Sequence, residues 1–181
     1  MPTRRGETLS QAVNASAFRF AIVLSGYHAA LGEALLRGAT ACLEFHGVKV
    51  GTIPVFRVPG AYEIPQAVAY LLEHGGQRMA GVIALGVLIR GDTLHFEILA
   101  REVCHSLQTI ALRSRVPVGF GVLTVDSESQ ARDRTGRGKA NKGWEAADAV
   151  VRMAALFRSL ERPGPAGTRA PRGRQRDRDR S

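Results

Sequence analysis

Met79-Ala-Gly-Val-Ile-Ala-Leu-Gly-Val-Leu-Ile89, followed directly by Arg90-Gly-Asp-Thr-Leu-His-Phe-Glu97, is the stretch that decides the fold of this chain. An apolar strand stops, a polar Gly-containing loop turns, and an amphipathic helix starts within a few residues. In open α/β folds this junction, at the carboxyl end of a parallel strand, is where ligands bind. A helix start also leaves backbone N–H groups free to receive an anion. His95 adds the side chain that most readily exchanges protons near neutral pH. The stretch is therefore a candidate site for phosphate binding coupled to proton transfer.

Working outward, the same alternation repeats. Residues 18–25 read as a first strand, and Gly26-Tyr27-His28 as a loop. A helix is expected from Ala30 to about His46, with Leu31, Leu35, Cys42 and Leu43 at helical spacing and Gly47 as its C-cap. A second strand is expected over 48–56, with Pro54 suggesting an edge position or an irregularity. Val58-Pro59-Gly60 turns into a helix to about Glu73, where Pro65 is tolerable in the first turn and Gly75-Gly76 is the break. The third strand is 79–89. Next come a helix over 94–113, a fourth strand over 116–124, and a short helix capped by Asp126 or Ser127 and running through Arg134. A final helix covers 142–161. Strands alternating with helices of this length predict a three-layer α/β/α, flavodoxin-like domain on a central four-stranded parallel sheet.

The 181 residues fit one core with tails: an N-terminal arm over 1–17, the domain over 18–161, and a tail over 162–181. The tail holds seven Arg and two Asp, which is +5 of the net charge of +9. Rich in Pro, Gly and Arg, it is expected to be disordered and to bind nucleic acid only non-specifically. No apolar run approaches the ~20 residues of a membrane span, and the first ten residues hold no apolar leader segment. With only Cys42 and Cys104, a disulfide framework is not expected and the cytoplasm is the natural setting. The Cys and His residues show no metal-ligand spacing, no dinucleotide-binding glycine pattern follows the first strand, and no nucleophile elbow surrounds a serine. In the last helix, Trp144, Ala147, Val150, Val151, Met153, Ala154, Leu156 and Phe157 cover more than one face. We read this as a subunit interface.

Four strand ends deliver chemistry: Ser25-Gly26-Tyr27-His28, Gly60-Ala61-Tyr62-Glu63, Arg90 to His95, and Thr124-Val125-Asp126. In a parallel sheet all four lie on one rim and can share a pocket. Tyr27 offers a flat face to a heteroaromatic ring, and Glu63 can accept hydrogen bonds from polyol hydroxyls. Arg134 and Lys142 are the available counter-charges, although they lie beyond the sheet edge. His46, His74 and His105 fall late in helices or on their faces and read as structural.

Three stretches, taken together, resemble the lumazine synthase family of riboflavin biosynthesis. They are Val58-Pro-Gly-Ala-Tyr-Glu-Ile-Pro65, Ala84-Leu-Gly-Val-Leu-Ile-Arg-Gly-Asp-Thr-Leu-His-Phe-Glu97, and Pro117-Val-Gly-Phe-Gly-Val-Leu-Thr124 continuing through Gln130, Ala131, Arg134, Gly136 and Asn141-Lys-Gly143. The resemblance covers roughly residues 18–160. It implies condensation of 5-amino-6-(D-ribitylamino)uracil with 3,4-dihydroxy-2-butanone 4-phosphate, without metal or organic cofactor. An amine attacks the ketone to give a Schiff base, phosphate is eliminated, and the ring closes.

Carried onto this sequence, the resemblance makes His95 the proton-transfer residue. Tyr27, Ala61, Tyr62, Glu63, Val87, Leu88, Ile89, Phe120 and Lys142 would hold the pyrimidine and its ribityl chain. Asp92, Thr93 and Arg134 would bind the butanone phosphate. Phe120, Arg134 and Lys142 would come from the adjacent subunit of a homopentamer, with a sixty-subunit capsid of pentamers permitted and riboflavin synthase as pathway partner. Tyr27-His28 differs from the family's Phe or Trp followed by Asn, and the composition of residues 135–140 differs too. These differences leave a non-catalytic flavin- or lumazine-binding scaffold as the alternative.

Overall fold

The computed structural model describes residues 11–75 and 79–161; the expected Arg-rich tail over 162–181 and most of the N-terminal arm lie outside the described residues. Four strands, β1 (Phe20–Ser25), β2 (Val55–Val58), β3 (Gly81–Ile89) and β4 (Val118–Val125), form one sheet in the order β2-β1-β3-β4. All pairings are parallel, with Leu24 beside Leu85 and Ile89 beside Val125. Helices α1 (Ala29–Phe45), α2 (Glu63–His74), α3 (His95–Ser114), α4 (Glu128–Arg134) and α5 (Lys142–Glu161) complete the chain. The three-layer parallel architecture is the one expected.

The apolar strands are explained by cover on both faces. Alternate residues of a strand point to opposite sides, so Ile22, Leu24, Leu85 and Val87 join one core with Leu35 and Leu43 of α1 and Val150 and Val151 of α5. Val23, Val82, Ala84 and Val122 join a second core with Ile64 and Val68 of α2 and Val103 and Leu107 of α3. Gly47, at φ +85°, takes the left-handed conformation expected just past the end of α1.

Two expectations need correction. The second strand does not run over 48–56: a 3-10 turn occupies Val50–Thr52, and β2 begins at Val55. Thr52 donates both its N–H and its hydroxyl to the Lys49 carbonyl, at 3.0 and 2.7 Å, which curls the chain before it can pair. Pro54, without an N–H, lies just ahead of this edge strand, where its carbonyl accepts from Ile22 N. The second correction concerns α5. Its apolar surface is mostly used within the chain, because Ala147, Val150, Val151 and Ala154 are buried against the sheet and α1. Only Met153, Leu156 and Leu160 stay exposed there, so α5 alone does not call for a second subunit.

Candidate active site

The rim at the strand ends is built by short, well-bonded loops. Gly26 N–H donates to the Val58 carbonyl at 2.7 Å, tying the turn after β1 to the end of β2. His28 then sits at φ 55°, ψ 51°, and its carbonyl accepts from Leu31 and Gly32 at 3.0 Å to start α1. That left-handed position favours Asn, Asp or His among residues with a side chain. Tyr27 and His28 meet edge to face, their ring centroids 5.0 Å apart, and Tyr27 is 68% exposed. After β2, buried Ala61 accepts from Ile64 N and Glu63 opens α2.

Beyond β3 the loop 90–94 leads into α3, whose first residue is His95. The first bond of this helix runs from Ile98 N to the Leu94 carbonyl. The N–H groups of His95 and Phe96, at the positive end of a twenty-residue helix, therefore remain available to an anion. Among the described residues nothing hydrogen-bonds the His95 imidazole, so both ring nitrogens are free to serve a ligand.

These loops enclose a cavity of about 390 Å³ lined by Tyr27, Ala61, Tyr62, Glu63, Val87, Leu88, Ile89, Thr93 and His95. Nine of the expected site residues thus come together. Gly91 of the same loop shares the wall, as do Phe96 and Leu99, for which no role was expected. Asp92 is exposed on the loop and does not line the cavity.

Phe120, Arg134 and Lys142 are elsewhere. They line a second, open cavity of about 500 Å³ together with Thr124, Val125 and Glu145. Three of the four strand-end loops share a pocket, not four. The pocket lies over the ends of β2, β1 and β3, and β4 is the strand beyond β3, whose chain continues into α4. Phe120 projects from that edge, 43% exposed, while Arg134 donates to its own helix at the Gln130 carbonyl and Lys142 pairs with Glu145.

Two well-bonded residues went unassigned from sequence. Arg90 bridges Glu97 and Asp126 and lies 4.6 Å over the Phe96 ring. No periodic spacing signals such a bridge. Asn141, 2% exposed, donates Nδ2 to the carbonyls of Ala34, Thr135 and Gly136 and accepts from Gly143 N, capping α5. Its cap role was legible as an Asn before an apolar run.

A further trio came together that linear spacing did not show: ligand atoms of Cys42, His46 and Asp148 lie within 4.8 Å of one another. His46 Nδ1 accepts from Val13 N–H at 2.8 Å, which places the ring proton on Nε2, facing Asp148. Both imidazole nitrogens are committed, so His46 and Asp148 form a hydrogen-bonded latch with the Cys42 thiol beside it.

A sequence profile of the 6,7-dimethyl-8-ribityllumazine synthase family matches residues 17–158. The chain belongs to this family. Lumazine synthase of Aquifex aeolicus is 44% identical over 148 residues, spanning 82% of this chain and 95% of that protein. The lumazine synthase of Chlorobium phaeobacteroides is 42% identical, over 82% of this chain and 94% of its own length. That of Chlorobaculum tepidum is 36% identical over 85% and 98%. The matched region spans both cavities, all four strands and all but the end of the last helix of this lumazine synthase-type domain. No described helix is long and apolar enough to cross a membrane.

Proposed function

We propose that this protein condenses 5-amino-6-(D-ribitylamino)uracil with 3,4-dihydroxy-2-butanone 4-phosphate to 6,7-dimethyl-8-ribityllumazine, phosphate and water. The observation that carries the reading is His95, without a hydrogen-bond partner among the described residues, at the open start of α3 in a cavity with two tyrosines and a carboxylate. Tyr27 stacks on the pyrimidine, with Ala61, Tyr62, Glu63, Val87, Leu88 and Ile89 along it and the ribityl chain. The helix start, with the Asp92 backbone and the Thr93 hydroxyl, takes the phosphate. His95 moves the proton as the Schiff base forms and phosphate leaves. The family match and relatives at 36–44% identity that carry the synthase name support catalysis over mere retention of a flavin, so the scaffold alternative is not favoured.

Phe120, Arg134 and Lys142 reach the reaction from the adjacent subunit. Their separate cavity along the unpaired edge of β4 supports a site completed by a second copy. A ring of five copies satisfies this, as does a capsid of sixty. The mass in solution distinguishes them. The two unpaired cysteines suit a reducing cytoplasm, and riboflavin synthase, which consumes the product, is the implied pathway partner.

The test is formation of the lumazine from both substrates by the full chain against a no-enzyme control, because the condensation also proceeds unaided. A rate above the control is expected; a rate equal to it would sink the reading.

A further inference from the structure

Arg90 lines neither cavity, yet it touches the three elements that frame them. Its backbone N–H donates to the Val125 carbonyl at 2.9 Å, carrying the β3–β4 pairing one residue past the strands. Its Nε donates to Asp126 Oδ1 at 2.8 Å, and its Nη1 donates to Glu97 Oε1. Asp126 N–H then donates to Gln130 Oε1 at 3.1 Å, and the Gln130 carbonyl accepts from Arg134 Nη1 at 3.0 Å. A continuous chain of bonds therefore joins the first turn of α3 to Arg134.

The charges matter as much as the geometry. Glu97 lies at the N-terminus of α3, beside the N–H groups that are to receive a phosphate. Left unpaired, its carboxylate would compete for those groups and repel the ligand. Asp126 would act likewise at the start of α4. A planar guanidinium with donors on two arms can neutralise both at once and hold them at a fixed separation.

We infer that Arg90 is a positioning residue for phosphate recognition: by forking between Glu97 and Asp126 it holds the loop that carries Thr93 and His95 and fixes the helix that presents Arg134. One side chain thus sets both halves of the phosphate site, including the half given to the neighbouring subunit. This rests on the proposed condensation with a phosphorylated substrate.

The experiment is steady-state kinetics of the full chain, with each substrate varied in turn, for Arg90→Gln, Arg90→Lys, Glu97→Gln and Asp126→Asn. Arg90→Gln is expected to raise KM for the butanone phosphate about tenfold, as for a lost charge-assisted contact, with KM for the pyrimidine within about twofold. Arg90→Lys is expected not to rescue, because a single ammonium cannot keep the fork. Glu97→Gln and Asp126→Asn are expected to raise the same KM, and Arg90→Gln with Asp126→Asn to be no worse than Arg90→Gln alone. If Arg90 instead bound phosphate directly, freeing it in Asp126→Asn would lower KM and Lys would restore it; either result overturns the inference. Equal rises in both KM values also overturn it. Should Arg90→Gln fail to fold, the direction of the Asp126→Asn change decides alone. Wild-type turnover with an unmoved KM defeats this inference only, whereas absent wild-type turnover defeats the condensation as well.

Discussion

His46 Nε2 lies 2.8 Å from Asp148 Oδ1, a contact across 102 residues that closes α1 on α5. The same imidazole accepts from Val13 N–H, and its backbone carbonyl accepts from Ala15 N–H. Asp148 also accepts from Arg152 Nε at 2.8 Å. Burial acts to raise the Asp148 carboxyl, but the hydrogen bonds from Arg152 and His46 outweigh it and hold the group below its ordinary value. A depressed carboxylate favours the folded state above its unfolded pKa, near 3.9, and that contribution disappears as pH falls through the folded value. Asp148→Asn is therefore expected to lower the melting temperature at pH 7 and to flatten its fall below about pH 4. Melting curves across that range check this, and an unchanged acid slope would count against the latch.

Gly143 is expected to tolerate no side chain. A Cβ there would collide with the Leu35 carbonyl oxygen of α1, which is backbone and cannot step aside. Gly143→Ala should cost about 3 kcal/mol by forcing α5 from α1. Asn141→Ala should cost about 2 kcal/mol, through the lost cap and the carbonyls it leaves without a donor. Urea denaturation measures both, and a midpoint equal to wild type would refute the packing argument.

The two cysteines should differ sharply in reactivity. Burial, aided by the negative charge of Asp148, pushes the Cys42 thiol up to about 12, whereas Cys104 is exposed. Only a thiolate reacts at an appreciable rate. Native protein at pH 8 should take up one equivalent of a thiol reagent, at Cys104, and the second only on unfolding. Peptide mapping identifies the modified residue, and rapid labelling of Cys42 in the native state would be the contrary result.

His95→Ala is expected to lower kcat by about 10²-fold, the usual scale for a positioned proton-transfer group. Subtraction of the uncatalysed rate is essential to the measurement. A variant indistinguishable from wild type would remove His95 from the chemistry.

Two impaired variants should rescue each other if sites are shared. His95→Ala and Arg134→Ala, unfolded together and reassembled at equal amounts, leave about a quarter of inter-subunit sites with both native residues. Recovery of activity towards that fraction is expected. Complete inactivity of the mixed assembly would place His95 and Arg134 in one chain's site.

The ends of β1 and β3 were legible because each junction is local. Apolar runs stop at Leu24 and Ile89, and polar or aromatic residues follow at once. Continuous burial of Val82 to Val87 follows from a run with no charge in it. Less legible was 48–56, where the β-rich composition is overridden by turn hydrogen bonds to the Lys49 and Val50 carbonyls. Arg90 was visible only as a member of a loop, since Asp126, its partner, is 36 residues away.

The loop from Arg90 to Glu97 marks the division most clearly. The amino-acid sequence by itself determined the strand, the helix start and the histidine at the mouth of that helix, because apolar runs and helix signals act over a few neighbouring residues. Tertiary structure decided which loops meet. Pairing β4 to the outer side of β3 places Phe120, Arg134 and Lys142 at a cavity of their own, and the Arg90 fork links that side to the first turn of α3. Strand order and long-range ion pairs depend on the whole chain's packing, which no local pattern encodes.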